Sequence, residues 1–308
     1  MKIFLAGHNG LVGSAILKAL KKKSKYQVIT INKKKLNLLD QTKVFKFLKK
    51  NKPNIVIIAA ARVGGILANQ NFGGEFIYEN LQIQNNLIHG SFKNGIKNLI
   101  FLGSSCIYPK NSPQPIKEKY LLTGKLEETN EPYAVAKIAG VKMCEAYNKQ
   151  FGTNYKCIMP SNTYGPNDNY DLSNSHFFPA MIHKAHLCKV KKKDFIEIWG
   201  SGKPYRELIY VDDIADACMY FMNKKTNHSL INIGVGKDYT IKYYIEFILK
   251  KLRLNIKIKF DRTKPDGVDK KVLDVSLAKK YGWKAKTSLS EGFDKTVEDF
   301  QKNYQNLK

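Results

Sequence analysis

Through the first half of the chain, short unbroken apolar runs alternate with longer stretches whose apolar positions recur every three or four residues. The runs at 2–6, 27–31, 55–60, 98–103 and 155–160 predict strands. Between them, 11–23, 41–50, 76–93 and 133–151 predict helices. Strand–helix alternation at this spacing predicts a parallel sheet with right-handed crossovers. The strands are apolar without alternation, as expected where helices cover both faces.

After Pro160 the pattern loosens, and glycine, proline, asparagine and aromatics dominate 164–178. Helices are predicted near 178–189, 212–223, 240–252 and 289–303, and strands at 195–199, 230–234 and 256–260. This predicts two parts. Residues 1–160 form a nucleotide-binding sheet domain completed by later segments, and 161–308 are mostly a smaller substrate domain. No internal repeat or low-complexity linker interrupts the 308 residues.

Charge changes the picture less than its size suggests. The formal net charge is +26, but 48 of the 52 basic residues are lysine and only Arg62, Arg206, Arg253 and Arg262 are arginine. Arginine is the favoured residue for bidentate phosphate and base contacts. Its scarcity, with lysines spread along the chain, points to a solvated basic surface and away from nucleic acid. An anionic small molecule fits either way. The five cysteines show neither a CxxC pair nor zinc-ligand spacing. They read as reduced thiols in a cytoplasm, with no metal site. The N-terminus enters a strand directly, leaving no room for a signal peptide, and no apolar run reaches membrane-spanning length.

The first strand leads into Gly7-His8-Asn9-Gly10-Leu11-Val12-Gly13, with a helix behind it. Glycines between a strand and a helix let backbone N–H groups approach a pyrophosphate, and the helix dipole favours its charge. An NAD site places a carboxylate at the end of the second strand. Here that strand ends Ile31-Asn32-Lys33-Lys34. Missing acid and present cations predict NADPH, with Lys33 or Lys34 at the 2′-phosphate.

The fourth strand ends Gly103-Ser104-Ser105-Cys106, and Tyr133-Ala134-Val135-Ala136-Lys137 follows on a helix. Tyrosine and lysine four residues apart share a helix face. A nearby ammonium is expected to lower the phenol's pKa. Lys137 can do this while binding the nicotinamide ribose, and Ser104 can hold a carbonyl oxygen against Tyr133.

With these residues placed, the chain resembles the extended short-chain dehydrogenase/reductases, and within them the GDP-L-fucose synthase family of 3,5-epimerase/4-reductases. The resemblance runs over nearly the whole chain. It rests most specifically on Ser104-Ser-Cys-Ile-Tyr-Pro109 and Asn130-Glu-Pro-Tyr-Ala134, with Ala59-Ala-Ala-Arg-Val-Gly-Gly-Ile66 and Lys264-Pro-Asp-Gly267 beside them. It implies a Rossmann-type doubly wound parallel sheet with a smaller C-terminal α/β substrate domain. It implies Ser104, Tyr133 and Lys137 for NADPH-dependent reduction, and Cys106 and His176 as base and acid of epimerisation. It implies Pro160, Asn162 and His176 at the cofactor beside Gly7, Gly10, Leu11, Val12 and Gly13. For a GDP-4-keto-6-deoxy sugar it implies Lys184, Trp199, Arg206 and Asp266, in a homodimer. The chain departs from the family at Asn9, where members often carry arginine beside the 2′-phosphate.

Three alternatives stay open on sequence alone. The protein could be a C4-reductase only, acting on a GDP-4-keto-6-deoxy-heptose. It could be a nucleotide-sugar 4-epimerase that retains NAD. As a non-enzyme it could sense NADPH, although such a protein would be free to lose the serine, tyrosine or lysine, and all three are present.

Overall fold

The computed structural model describes residues 1–172, 175–264 and 266–303. The first half runs β1 (Lys2–Ala6), α1 (Leu11–Lys21), β2 (Gln27–Ile29), α2 (Gln41–Asn51), β3 (Ile55–Ile58), α3 (Ile66–Asn71), α4 (Gly73–Lys93), β4 (Asn98–Leu102), α5 (Glu131–Phe151) and β5 (Asn154–Pro160). The second half runs β6 (Asn162–Tyr164), α6 (Phe177–Val190), β7 (Phe195–Trp199), β8 (Tyr205–Tyr210), α7 (Val211–Asn223), β9 (Leu230–Ile233), β10 (Asp238–Thr240), α8 (Ile241–Lys251), β11 (Lys257–Asp261), β12 (Lys270–Lys271), α9 (Ser276–Lys280) and α10 (Leu289–Asn303).

Six strands form one parallel sheet in the order β2-β1-β3-β4-β5-β9. Helices α1 and α7 pack together, and α2, α4 and α5 form a second packed group. The β3 run Ile55–Ile58 is buried throughout, because helices leave no solvent face for polar residues. This is a Rossmann-type doubly wound fold. The chain leaves β1 for β2 on one side and returns to β3 on the other. A crevice therefore opens beyond the carboxyl ends of β1 and β3, where ligands bind in such sheets.

Local chemistry fixes the helix ends. Asp40 caps α2 by accepting from the Lys43 N–H at 3.0 Å, and Thr240 caps α8 by accepting from Tyr243. Gly152, in the left-handed region, closes α5. Asp213 does not cap α7. Its carboxylate accepts from the N–H groups of Lys286 and Thr287 and so pins the segment before α10.

The later segments build two smaller sheets. Strand β8 joins β6, β10 and β12, while β7 pairs with β11. The sequence pattern missed β8, because Arg206 and Glu207 interrupt its apolar run. Glu207 is fully buried and accepts from the N–H groups of Gly236 and Leu273. A buried carboxylate is tolerated where backbone donors replace its water. Residues 173 and 174 of the predicted irregular stretch, and Pro265 of the Lys264–Gly267 motif, lie outside the described residues. Among the described residues no helix is long and apolar enough to cross a membrane.

Candidate active site

Strand β1 delivers Gly7 at φ +88°, in the left-handed region that suits glycine. A Cβ on Gly7 would collide with the backbone of Ala60, just past β3, and a Cβ on Gly13 would overlap the Gly7 carbonyl. The loop is thus closed by backbone approach. The Gly10 N–H donates to the Gly7 carbonyl at 3.3 Å, and the Ser14 N–H donates to Gly10 at 2.8 Å. Helix α1 begins at Leu11 and Val12, with no acidic residue in its first turn and no side-chain cap. Its N-terminal N–H groups and positive dipole end meet the crevice uncompensated, which fits the pyrophosphate of a dinucleotide.

At the β2 edge, the Asn9 amide donates to Asn32 Oδ1 at 3.3 Å, so the glycine loop and the end of the second strand meet. Lys33 and Lys34 are exposed in the turn that follows. Pro160 ends β5. Asn162 spends its amide N–H₂ on the Glu207 carbonyl at 2.9 Å, tying β6 to β8.

Ser104 follows β4 and caps a single 3₁₀ turn by accepting from the Cys106 N–H at 3.4 Å. The turn sets Cys106 beside Ser104, and α5 brings Tyr133 and Lys137 to them. The Lys137 ammonium lies 5.7 Å from the Tyr133 ring centroid and 4.8 Å from that of Phe101, and it donates to the Leu102 carbonyl at 2.9 Å. Burial pushes Lys137 down to about 8.

One expectation needs correction. The Tyr133 phenol is raised above its ordinary value, not lowered. Burial dominates, the neighbouring Cys106 adds to it, and only the nearby Ser104 hydroxyl pulls it down. Lys137 points its hydrogen bond at the Leu102 carbonyl and not at the phenol oxygen.

Burial also raises the Cys106 thiol, while the charge of Lys271, the nearby Ser104 hydroxyl and the charge of Lys137 oppose it. His176 is the N-cap residue of α6, and its side chain is exposed. Lys271 is a site residue that sequence reasoning missed.

The four residues assigned to the nucleotide sugar also converge. Lys184 on α6 donates to the Glu197 carbonyl at 3.1 Å and sits 5.2 Å from the Trp199 ring, which is 45% exposed at the end of β7. Lys264 approaches the same ring at 5.6 Å. Asp266 Oδ1 accepts from the Ser201 N–H at 2.6 Å. Arg206 donates to the carbonyls of Val268 and Asp266. Lys184, Lys264, Arg206 and the indole thus gather about the ends of β7 and β8. Register carries this cluster to the catalytic one, since Arg206 on β8 pairs with Lys271 on β12.

Residues 3–234 match the NAD dependent epimerase/dehydratase family. The chain is 47% identical over 302 residues to a GDP-L-fucose synthase of Sinorhizobium fredii, covering 98% of this chain and 96% of the relative. It is 42% identical to the GDP-L-fucose synthase of Escherichia coli, over 98% of this chain and 97% of that one. Among solved structures, a GDP-mannoheptose C4 reductase from Campylobacter jejuni with NADP bound superimposes with a TM-score of 0.89 at 35% identity, over 97% and 98% of the two chains. A glycine cradle at the switch point, a serine–tyrosine–lysine cluster at the sheet edge and whole-length identity agree: the chain belongs to the NAD dependent epimerase/dehydratase family, in its GDP-L-fucose synthase branch.

Proposed function

We propose that this protein is an NADPH-dependent oxidoreductase that reduces C4 of a GDP-4-keto-6-deoxy sugar and epimerises C3 and C5. The observation that carries the reading is the meeting of Ser104, Cys106, Tyr133 and Lys137 at the carboxyl edge of β4. NADPH, when bound, supplies the hydride. Residues 1–160 hold it, and residues from 161 onward mostly hold the nucleotide sugar. Gly7, Gly10, Leu11, Val12 and Gly13 take the pyrophosphate, Lys33 or Lys34 the 2′-phosphate, and Pro160, Asn162 and His176 border the nicotinamide side.

Ser104 donates to the ketone oxygen and Tyr133 gives that oxygen its phenolic proton as negative charge builds there. The phenol carries its proton at neutral pH and so has one to deliver. Lys137 binds the nicotinamide ribose. A ketone at C4 acidifies the hydrogens on C3 and C5. Cys106 as thiolate removes one, Ser104 and Tyr133 hold the enolate oxygen, and His176 returns a proton from the other face. Lys184 and Arg206 neutralise the diphosphate, Trp199 packs on the nucleotide and Asp266 meets hydroxyls.

Two copies pair through α4 and α5, whose exposed Tyr78 and Val135 suit an interface. Five free thiols fit a reducing cytoplasm. The heptose reductase likeness favours one second reading, C4 reduction of a heptose without epimerisation. Offering NADPH with GDP-4-keto-6-deoxymannose or its heptose counterpart, and identifying each product by NMR, separates the two. A product inverted at C3 and C5 from the hexose supports the proposal. Reduction of the heptose alone, with no inversion, overturns it.

A further inference from the structure

Lys271 is one of the two residues of β12, and the β8 register sets it opposite Arg206. With Cys106 it lines an enclosed cavity of about 50 Å³, together with Glu127 and Asn130. Asn130 contributes a buried Oδ1 that has no hydrogen-bond partner among the described residues. Glu127 is already paired with Lys110 at 3.0 Å. The Lys271 ammonium itself makes no hydrogen bond or ion pair with the described residues. An ammonium lining the same cavity as a cysteine is placed to serve a negative charge that forms on the sulfur.

We propose that Lys271 is a positioning residue of the epimerisation, whose ammonium stabilises the Cys106 thiolate. The proposal rests on the reading of Cys106 as base.

The groups facing each member are few. Cys106 meets Lys271 from β12, Lys137 and Tyr133 from α5, and Ser104 from its own turn. Lys271 meets Cys106, Arg206 on β8 and Glu127. Burial alone would leave Cys106 a thiol, and the two lysines oppose it. A positive charge beside the sulfur acts in the useful direction, because it holds a proton off the thiol. In the step itself, the thiolate takes the C–H proton to become a thiol, leaving an enolate. The imidazolium then gives its proton to carbon and becomes neutral imidazole.

The test uses the full-length enzyme and Lys271→Met, Lys271→Arg and Cys106→Ser. The thiolate's ultraviolet absorbance is titrated against pH without substrate, with Cys106→Ser variants as blanks. Deuterium exchange from solvent into C3 and C5 of GDP-4-keto-6-deoxymannose is followed by NMR. The proposal expects the thiolate midpoint to rise in Lys271→Met by about one unit or more, a tenfold change in ionisation. It expects exchange near pH 7 to slow about as much, and Lys271→Arg to restore both. A midpoint that does not move in Lys271→Met overturns the role of Lys271, whatever the exchange rate. If instead Cys106→Ser exchanges at the wild-type rate, the reading of Cys106 as base fails, and the midpoint data stand apart from that failure. A folding defect in Lys271→Met is separated by Lys271→Arg, which keeps the charge.

Discussion

Lys137 and Tyr133 stand one helical turn apart on α5, yet the lysine donates to the Leu102 carbonyl at 2.9 Å, with its ammonium 5.7 Å from the Tyr133 ring centroid. Division of labour follows. The lysine is fixed to the sheet edge, where it can hold a ribose. The tyrosine, protonated at neutral pH, holds the proton that a reduction must deliver.

Tyr133→Phe removes that proton and keeps the ring, whose centroid lies 6.3 Å from that of Phe76. Turnover of NADPH with the keto sugar is expected to fall by roughly 10²–10⁴-fold. NADPH affinity, read by fluorescence titration, should stay near wild type. Undiminished turnover would remove Tyr133 from the chemistry.

Lys137 titrates near 8 because burial disfavours its charge. It is charged below that pH and loses charge as pH rises through it. The kcat/KM for NADPH is therefore expected to decline above about pH 8. In Lys137→Met the activity should be lower and that limb of the profile should vanish. A limb that survives the substitution belongs to another group.

Cys106 is placed to handle carbon-bound protons, whereas Ser104 and Tyr133 serve the ketone oxygen. Cys106→Ser should slow deuterium exchange at C3 and C5 more than it slows consumption of NADPH. Equal losses in both assays would argue that the two activities share the thiol.

Glu207 ties β8 to the segments carrying Gly236 and Leu273, and burial raises its carboxyl from 4.5 to about 7. A raised folded-state pKa gives stability that is full below the unfolded value and is lost as pH climbs to about 7. Glu207→Gln faces one of those N–H donors with its own amide, at a cost of about 1–3 kcal/mol. Urea denaturation should show the deficit largest near pH 5 and smaller at pH 8. A deficit that grows with pH would contradict the assignment.

Most of this architecture was legible before any coordinates. The runs at 55–60 and 98–103 were strands because only a covered sheet accepts unbroken apolar residues, and the glycine spacing from Gly7 to Gly13 announced a close backbone approach. Strand β8 was hidden, because Arg206 and Glu207 break the pattern and are satisfied only by distant backbone groups. Strand β12 spans two residues, too few to carry any period. Lys271 was one of 48 lysines. Nothing local distinguishes it, since its neighbours Cys106 and Arg206 reach it only through the fold. The sign of the Tyr133 shift was illegible for a related reason. Spacing gives proximity to Lys137, but only packing tells whether burial outweighs charge.

The central claim is hydride delivery to C4 with Tyr133 as proton source. It is tested most directly by incubating the enzyme with GDP-4-keto-6-deoxymannose and NADPH deuterated at the transferable position, then locating the label by NMR. The account predicts one deuterium at C4 of the product for each NADPH consumed. A product without label at C4, or formed with no loss of NADPH, contradicts it.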